Sequence, residues 1–358
     1  MELVATPLNP IPGDPQVMAV VTADGRTLRA ASWKAAGRRV KGTVCLLQGR
    51  AEFIEKYFET VEDLRRRGFA VVAFDWRGQG GSQREIGNPR KGHVRDFAHY
   101  RRDLEAVRDS LLEPVMPKPH FALAHSMGGA LALLWAREGV LPFQRLVALT
   151  PMLALSMVKH PRAAKLVARA LNAVGYAGAF VPGGGPDSIT TAPFSGNRLT
   201  NDPRRYARNA QAAVALGSGA IGAPTVAWLN AAFRFMARFN EAGFPLQVRV
   251  PTLVVAAGAD PICATPAIER FAARLKVGNA IVIPGARHEI LTERDAVRDE
   301  FWAAFDAFIP GTPDFPDALP IPEPRMPRIT PLRALPVSSS GQKPERRLVN
   351  PAVAGGDH

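Results

Sequence analysis

The stretch Phe121-Ala122-Leu123-Ala124-His125-Ser126-Met127-Gly128-Gly129-Ala130 decides how this chain folds. An apolar run stops at a serine, and two glycines and a helix-forming stretch (130–137) follow at once. That order predicts a buried strand, a sharp turn carrying Ser126, and a helix running back behind the strand. A serine at such a turn has its hydroxyl lifted above the sheet edge. Small residues two places to either side let strand and helix approach closely, and here they are Ala124 and Gly128. The common form of the turn has glycine at both places, so Ala124 departs from it by one methyl group.

Outward from this turn the pattern repeats. Apolar runs of strand length occur at 42–48, 69–74, 146–150, 252–256 and 280–283, and helical stretches at 54–67, 97–112, 266–275 and 296–308. Two short strands, 17–21 and 27–33, are joined by the turn Ala23-Asp24-Gly25. Near-continuous apolar strands alternating with helices imply an α/β fold: a mostly parallel sheet covered by helices on both faces. The expected organisation is an arm at 1–16, loosely held, and a first core part at 17–150. An inserted helical cap follows at 151–245, then a second core part at 246–309. The alternation breaks in the cap, which is alanine-rich and interrupted by glycine and proline. From 310 to 358 the composition shifts again: eleven of these 49 residues are prolines, which predicts a disordered or extended tail.

Composition narrows the function. Two cysteines, Cys45 and Cys263, are too few for a disulfide framework, and their apolar or small neighbours suit buried thiols in a reducing compartment. No stretch has the roughly 20 apolar residues of a membrane span, and the amino terminus lacks the pattern of a signal peptide. A cytoplasmic protein is expected, with contact at the inner face of a membrane as an extension. The net charge of +13 raises nucleic acid as a partner, but the basic residues are scattered and no aromatic stacking motif or zinc pattern accompanies them. An acidic lipid surface suits that charge better.

A serine hydroxyl needs a histidine to take its proton and a carboxylate to orient that histidine. In a sheet of this kind they come from loops after different strands, in the order Ser, Asp or Glu, His. Asp260 stands just beyond the run 252–256, and His288 just beyond 280–283. Singly, Asp260 reads as a turn residue before Pro261 and His288 as a capping or surface histidine. Jointly, with the right order and topology, Ser126, Asp260 and His288 read as a catalytic triad. Asp75 is the rival acid, but it precedes Ser126 and opens the turn Asp75-Trp76-Arg77-Gly78-Gln79-Gly80-Gly81-Ser82, so a structural role is expected for it. His125 is expected to pack beside the nucleophile. The negative oxygen of an acyl-transfer intermediate needs two preformed donors. The backbone N–H of Met127, directly after the nucleophile, is one candidate. The other is the backbone N–H of Arg50, in the loop Gln48-Gly49-Arg50 after an earlier strand.

With these residues in view, the chain resembles the α/β-hydrolase superfamily. More narrowly it resembles the monoacylglycerol lipase and bacterial lysophospholipase branch, grouped with the serine aminopeptidase-like hydrolases. The match rests on Gln48 to Glu52, Asp75 to Ser82, Ala124 to Gly129, and the Asp260 and His288 loops. The run Lys91-Gly92-His93-Val94-Arg95-Asp96-Phe97, with Tyr100 and Asp103, adds to it. Family members commonly have His-Gly where this chain has Gln48-Gly49. The resemblance implies a serine ester hydrolase with a mobile cap, acting on a single acyl chain and needing neither metal nor cofactor. The cap carries ten Lys or Arg against three Asp or Glu, and Trp228, Phe233, Phe235 and Phe239 are expected to be exposed on it. Charge and apolar surface together predict contact with lipid headgroups. Three readings are open: a lysophospholipid or monoacylglycerol hydrolase; a small-ester hydrolase or aminopeptidase; and a catalytically silent ligand-binding fold.

Overall fold

The computed structural model describes residues 1–310, so most of the proline-rich tail expected from residue 310 lies outside the described residues. Eight strands form one sheet: β1 Gln16–Val21, β2 Thr27–Trp33, β3 Thr43–Leu47, β4 Ala70–Phe74, β5 His120–His125, β6 Arg145–Leu149, β7 Thr252–Ala257 and β8 Gly278–Ile283. Their order is β1-β2-β4-β3-β5-β6-β7-β8. The pairs β1–β2 and β2–β4 are antiparallel and the rest parallel. This is the mostly parallel α/β sheet expected from the strand–helix alternation, and it fits the α/β-hydrolase fold that the resemblance implies.

Strands β3, β4, β5 and β7 are buried at every position because both faces of the sheet are covered. Successive side chains point to opposite faces. On β5, Ala122 and Ala124 join one hydrophobic cluster while Phe121 and Leu123 join the other. Helices α1 Phe58–Arg66, α2 Ala98–Val107 and α3 Met127–Glu138 lie between the early strands. Every residue of α3 from Met127 to Ala136 is buried, which fits a helix apolar all round its circumference.

Between β6 and β7 the chain adds no strand to the sheet. It forms α4 Pro161–Ala173, α5 Pro203–Leu216 and α6 Val226–Ala237 before returning through β7, α7 Thr265–Ala272, β8 and α8 Asp295–Phe308.

Two expectations are overturned. The amino-terminal arm is not loosely held: the Val4 N–H donates to Glu55 Oε1 at 3.1 Å, Asn9 Nδ2 to the Glu55 carbonyl at 2.8 Å, and Arg29 Nη1 to the Glu2 carbonyl at 2.9 Å. Trp228, Phe233, Phe235 and Phe239 are buried rather than exposed. The rings of Trp228 and Phe235 pack against Phe97, and that of Phe239 against Phe244 and Phe271, because the insertion needs an aromatic core of its own where it meets the start of α2 and α7.

Candidate active site

Parallel strands bring the chain to one edge of the sheet each time they end. Ser126 follows β5, Asp260 follows β7 and His288 follows β8, so all three leave the same edge. Ser126 has φ 50° and ψ −112°, a strained conformation for a residue with a side chain. It is held there by its N–H donating to the Leu149 carbonyl at 2.9 Å and its carbonyl accepting from Ala130 and Met152, each at 3.0 Å. Glycine is required at 128: a Cβ there would sit 2.2 Å from the Leu47 oxygen. The methyl group of Ala124 is accommodated, fully buried under α3.

His288 Nε2 lies 3.0 Å from Ser126 Oγ, and His288 Nδ1 lies 2.8 Å from Asp260 Oδ2. The other Asp260 oxygen accepts from the N–H groups of Ile262 at 2.8 Å and Cys263 at 3.0 Å. Burial opposes the charge on Asp260, but the His288 ring and these two amides outweigh it and hold the carboxyl below its usual range. Its side chain is fully buried, so the bond to Nδ1 is undiluted by water. With Nδ1–H committed to the carboxylate, the neutral ring presents the Nε2 lone pair to the serine hydroxyl. Ser126 and His288 are only 7% and 5% exposed. The insertion touches the loop of His288, its Leu199 carbonyl accepting from the Glu289 N–H at 2.8 Å.

Among the described residues, neither the Arg50 nor the Met127 N–H donates to a protein acceptor. Both are free to donate, and Met127 directly follows the serine. The loop carrying Arg50 is pinned from below. Glu52 Oε2 accepts from the Gly49 N–H, and a Cβ at Gly49 would come within 2.7 Å of that oxygen. Ala51 adopts φ 60°, with its N–H donating to Gln79 Oε1 at 3.2 Å.

Beneath the site lies a buried charge network that the sequence reading missed. Glu52 also accepts from Tyr57 Oη at 2.6 Å and Lys56 Nζ at 3.1 Å, and Lys56 reaches Glu289 Oε1 at 2.7 Å. His125 Nδ1 lies 3.0 Å from Glu52 Oε2, and its Nε2 lies 3.1 Å from the His288 carbonyl oxygen. Carboxylate and carbonyl oxygens only accept, so both ring nitrogens carry protons and His125 is an imidazolium. Burial works against that charge, but the Glu52 carboxylate overcomes it and raises the His125 pKa. Burial likewise opposes the charge on Glu52, and His125 and Lys56 override it, holding this carboxyl well below its usual range. Thr150, at φ 38°, donates from Oγ1 to the same His288 carbonyl at 3.0 Å. The one available signal was polar residues in a turn, Ile54 to Tyr57, that every neighbouring apolar run marks for burial.

Asp75, His93 and His120 have partners of their own. Asp75 accepts from Arg29 Nε at 2.7 Å and from the N–H groups of Ile54 at 3.0 Å and Gly81 at 2.7 Å, which is a structural role. His93 is 2.9 Å from Thr225 Oγ1, and His120 is 3.2 Å from the Met116 carbonyl. Both cysteines are buried free thiols. The Cys263 sulfur, an Asp260 oxygen and a His288 nitrogen lie within 4.8 Å of one another. A metal on these three would have to displace bonds that His288 already makes through both ring nitrogens.

Residues 38–295 match the family model described as "Serine aminopeptidase, S33". The chain is 30% identical to lysophospholipase L2 of Escherichia coli strain K12 over 264 residues, 71% of this chain and 76% of that one. It is 32% identical to human monoglyceride lipase over 155 residues, 43% of this chain and 49% of that one. A soluble variant of monoglyceride lipase from Saccharomyces cerevisiae superimposes with a TM-score of 0.65 at 20% identity, covering 83% of this chain and 96% of that one. A carboxyl esterase from Bacillus coagulans gives 0.67 at 19% identity, covering 84% and 99%.

Proposed function

Because this chain belongs to the serine aminopeptidase S33 family of α/β-hydrolases, we propose that it is a serine hydrolase that removes the acyl chain of a lysophospholipid or monoacylglycerol through an acyl-Ser126 intermediate. One observation carries the reading: Ser126, His288 and Asp260 form a continuous hydrogen-bonded chain at 3.0 and 2.8 Å.

In this mechanism Ser126 Oγ attacks the ester carbonyl carbon while its proton passes to His288 Nε2. The carbonyl oxygen becomes an oxyanion facing the Arg50 and Met127 N–H groups, each such donor lowering the barrier by about 3 kcal/mol. The intermediate collapses, the C–O bond to the glyceryl group breaks, and His288 returns its proton to the departing alkoxide. Water then attacks the acyl-serine with His288 again as base, releasing a fatty acid and restoring Ser126. Asp260 holds the ring in the working tautomer throughout.

Residues 151–245 serve as a cap over this centre and meet a lipid surface. Support comes from α4, where Leu166 is 69% exposed between Arg162 and Arg169 at helical spacing, with Lys165 beside it and Val174 67% exposed just beyond. This surface replaces the aromatic residues first expected to fill the role. Among the described residues, no helix is long and apolar enough to cross a membrane. An aminopeptidase would need an acid to hold the substrate amine. Two of the three acids in the cap are already engaged, Asp202 with Arg205 and Glu241 with Arg137.

The test is turnover of purified protein on lysophospholipids, monoacylglycerols, short p-nitrophenyl esters and aminoacyl amides. The single-chain lipids should be hydrolysed most efficiently. Preference for aminoacyl amides would contradict it.

A further inference from the structure

Buried arginines in this chain are matched by carboxylates. Arg29 pairs with Glu55 and Asp75, Arg77 with Asp103 and Asp24, and Arg298 with Asp63. Arg50 has no carboxylate partner, and, unlike Arg84 and Arg287, it is not fully engaged by backbone carbonyls instead. Its half-buried side chain crosses from the loop after β3 to the cap, where Nη2 donates to the Gly222 carbonyl and the guanidinium lies 5.4 Å from the Trp228 ring centroid. Its Nε is buried and bonded to nothing, and no carboxylate among the described residues stands within ion-pair distance. Gly92 gives it room: a Cβ there would come within 3.1 Å of Nη2. Burial without a counter-ion lowers its pKa to about 10, which leaves it charged at neutral pH. Taking a cation out of water with an N–H donor idle is costly unless an anion arrives to complete it.

The position of Arg50 says which anion. Its backbone N–H is the proposed oxyanion donor, so one end of the residue marks the ester carbonyl and the other end carries the unpaired guanidinium towards the cap. In a lysophospholipid the acyl ester and the phosphate sit at opposite ends of one glycerol unit. We propose that the Arg50 side chain binds the phosphate of a lysophospholipid, making the phosphorylated lipid the preferred substrate over the neutral monoacylglycerol. A planar guanidinium with free N–H groups suits phosphate oxygens, and the Trp228 face orients it. This inference rests on the lipid-hydrolase reading above and selects between its two substrates.

The test compares kcat/KM for a lysophospholipid and a monoacylglycerol of the same acyl chain in wild type, Arg50→Met and Arg50→Lys, all of which keep the backbone N–H. The ratio of the two values should fall about tenfold to 100-fold in Arg50→Met and recover in part in Arg50→Lys. An equal loss on both substrates would make Arg50 a latch between loop and cap and overturn the proposal. Ether analogues give a second readout that needs no turnover of the analogue. In wild type an ether lysophospholipid should inhibit monoacylglycerol hydrolysis more strongly than an ether monoacylglycerol does, and in Arg50→Met the two should become alike. Inorganic phosphate as potent as the ether lysophospholipid would assign the site to free phosphate and overturn the headgroup. Wild type inactive on both lipids defeats the lipid reading and this one with it. Wild type active on both, with an unchanged ratio in Arg50→Met, defeats only the role of Arg50.

Discussion

His125 Nε2 lies 3.1 Å from the backbone oxygen of His288, and the same ring's Nδ1 lies 3.0 Å from Glu52, whose carboxylate also accepts from the Gly49 N–H. One imidazolium therefore joins the loop that carries the proposed base to the loop that carries the proposed oxyanion donor. The two loops follow β8 and β3, which are not neighbours in the sheet, so the strands alone do not set their separation. The residue before the nucleophile sets it.

Replacing His125 by Asn should lower kcat about tenfold to 100-fold with a smaller change in KM, because small misplacements of reacting groups are costly. A stability readout tests the charge itself. The folded pKa of His125 is raised, so its contribution is full below the ordinary imidazole value near 6.5 and is lost as pH rises through the folded value. The stability gap between wild type and His125→Asn, measured by urea unfolding, should shrink as pH increases over that range. A gap independent of pH would mean that His125 is neutral.

Removing the charge of Glu52 leaves Lys56 and His125 short of a buried partner. Glu52→Gln should destabilise the fold by about 3–5 kcal/mol, the usual cost of breaking a buried ion pair from one side. A loss under about 1 kcal/mol would show that Glu289 alone suffices for Lys56.

The sheet was legible because its signals are local: the central strands are largely apolar runs, and each proposed triad member stands just past a strand. The polar network was not legible. Glu52, Lys56 and Tyr57 look like an ordinary polar segment until the fold sets them against His125 and Glu289, residues far along the chain. The cap aromatics failed for the opposite reason. Trp228, Phe233, Phe235 and Phe239 sit in an insertion without regular sheet packing, and only the folded chain, which sets Trp228 and Phe235 against Phe97 and Phe239 against Phe271, reveals that they are buried.

The turn carrying Ser126 discriminates sharply between its two small positions, 124 and 128. Gly128→Ala should yield inactive or unfolded protein, since the new methyl group would sit 2.2 Å from the Leu47 oxygen and 2.6 Å from that of Gln48. Ala124→Gly, which restores the common motif, should stay active and cost about 1 kcal/mol. Circular dichroism with ester turnover reads both. Full activity in Gly128→Ala would contradict the packing described.

The surface of α4 is tested with vesicles. Binding to vesicles of anionic lipid should fall as salt rises, because screening shortens the reach of Arg162, Lys165 and Arg169. Leu166→Glu should weaken that binding about tenfold while turnover of a short, soluble p-nitrophenyl ester is unaffected. Binding insensitive to both changes would remove α4 from the lipid contact.

The proposed nucleophile is open to direct chemical reading. A fluorophosphonate probe reacts with an activated serine, and intact mass with peptide mapping reports where. Wild-type protein should carry one adduct, on Ser126, and folded Ser126→Ala should carry none. Equal labelling of Ser126→Ala, or an adduct mapped to another serine in the wild type, would contradict the account at its centre.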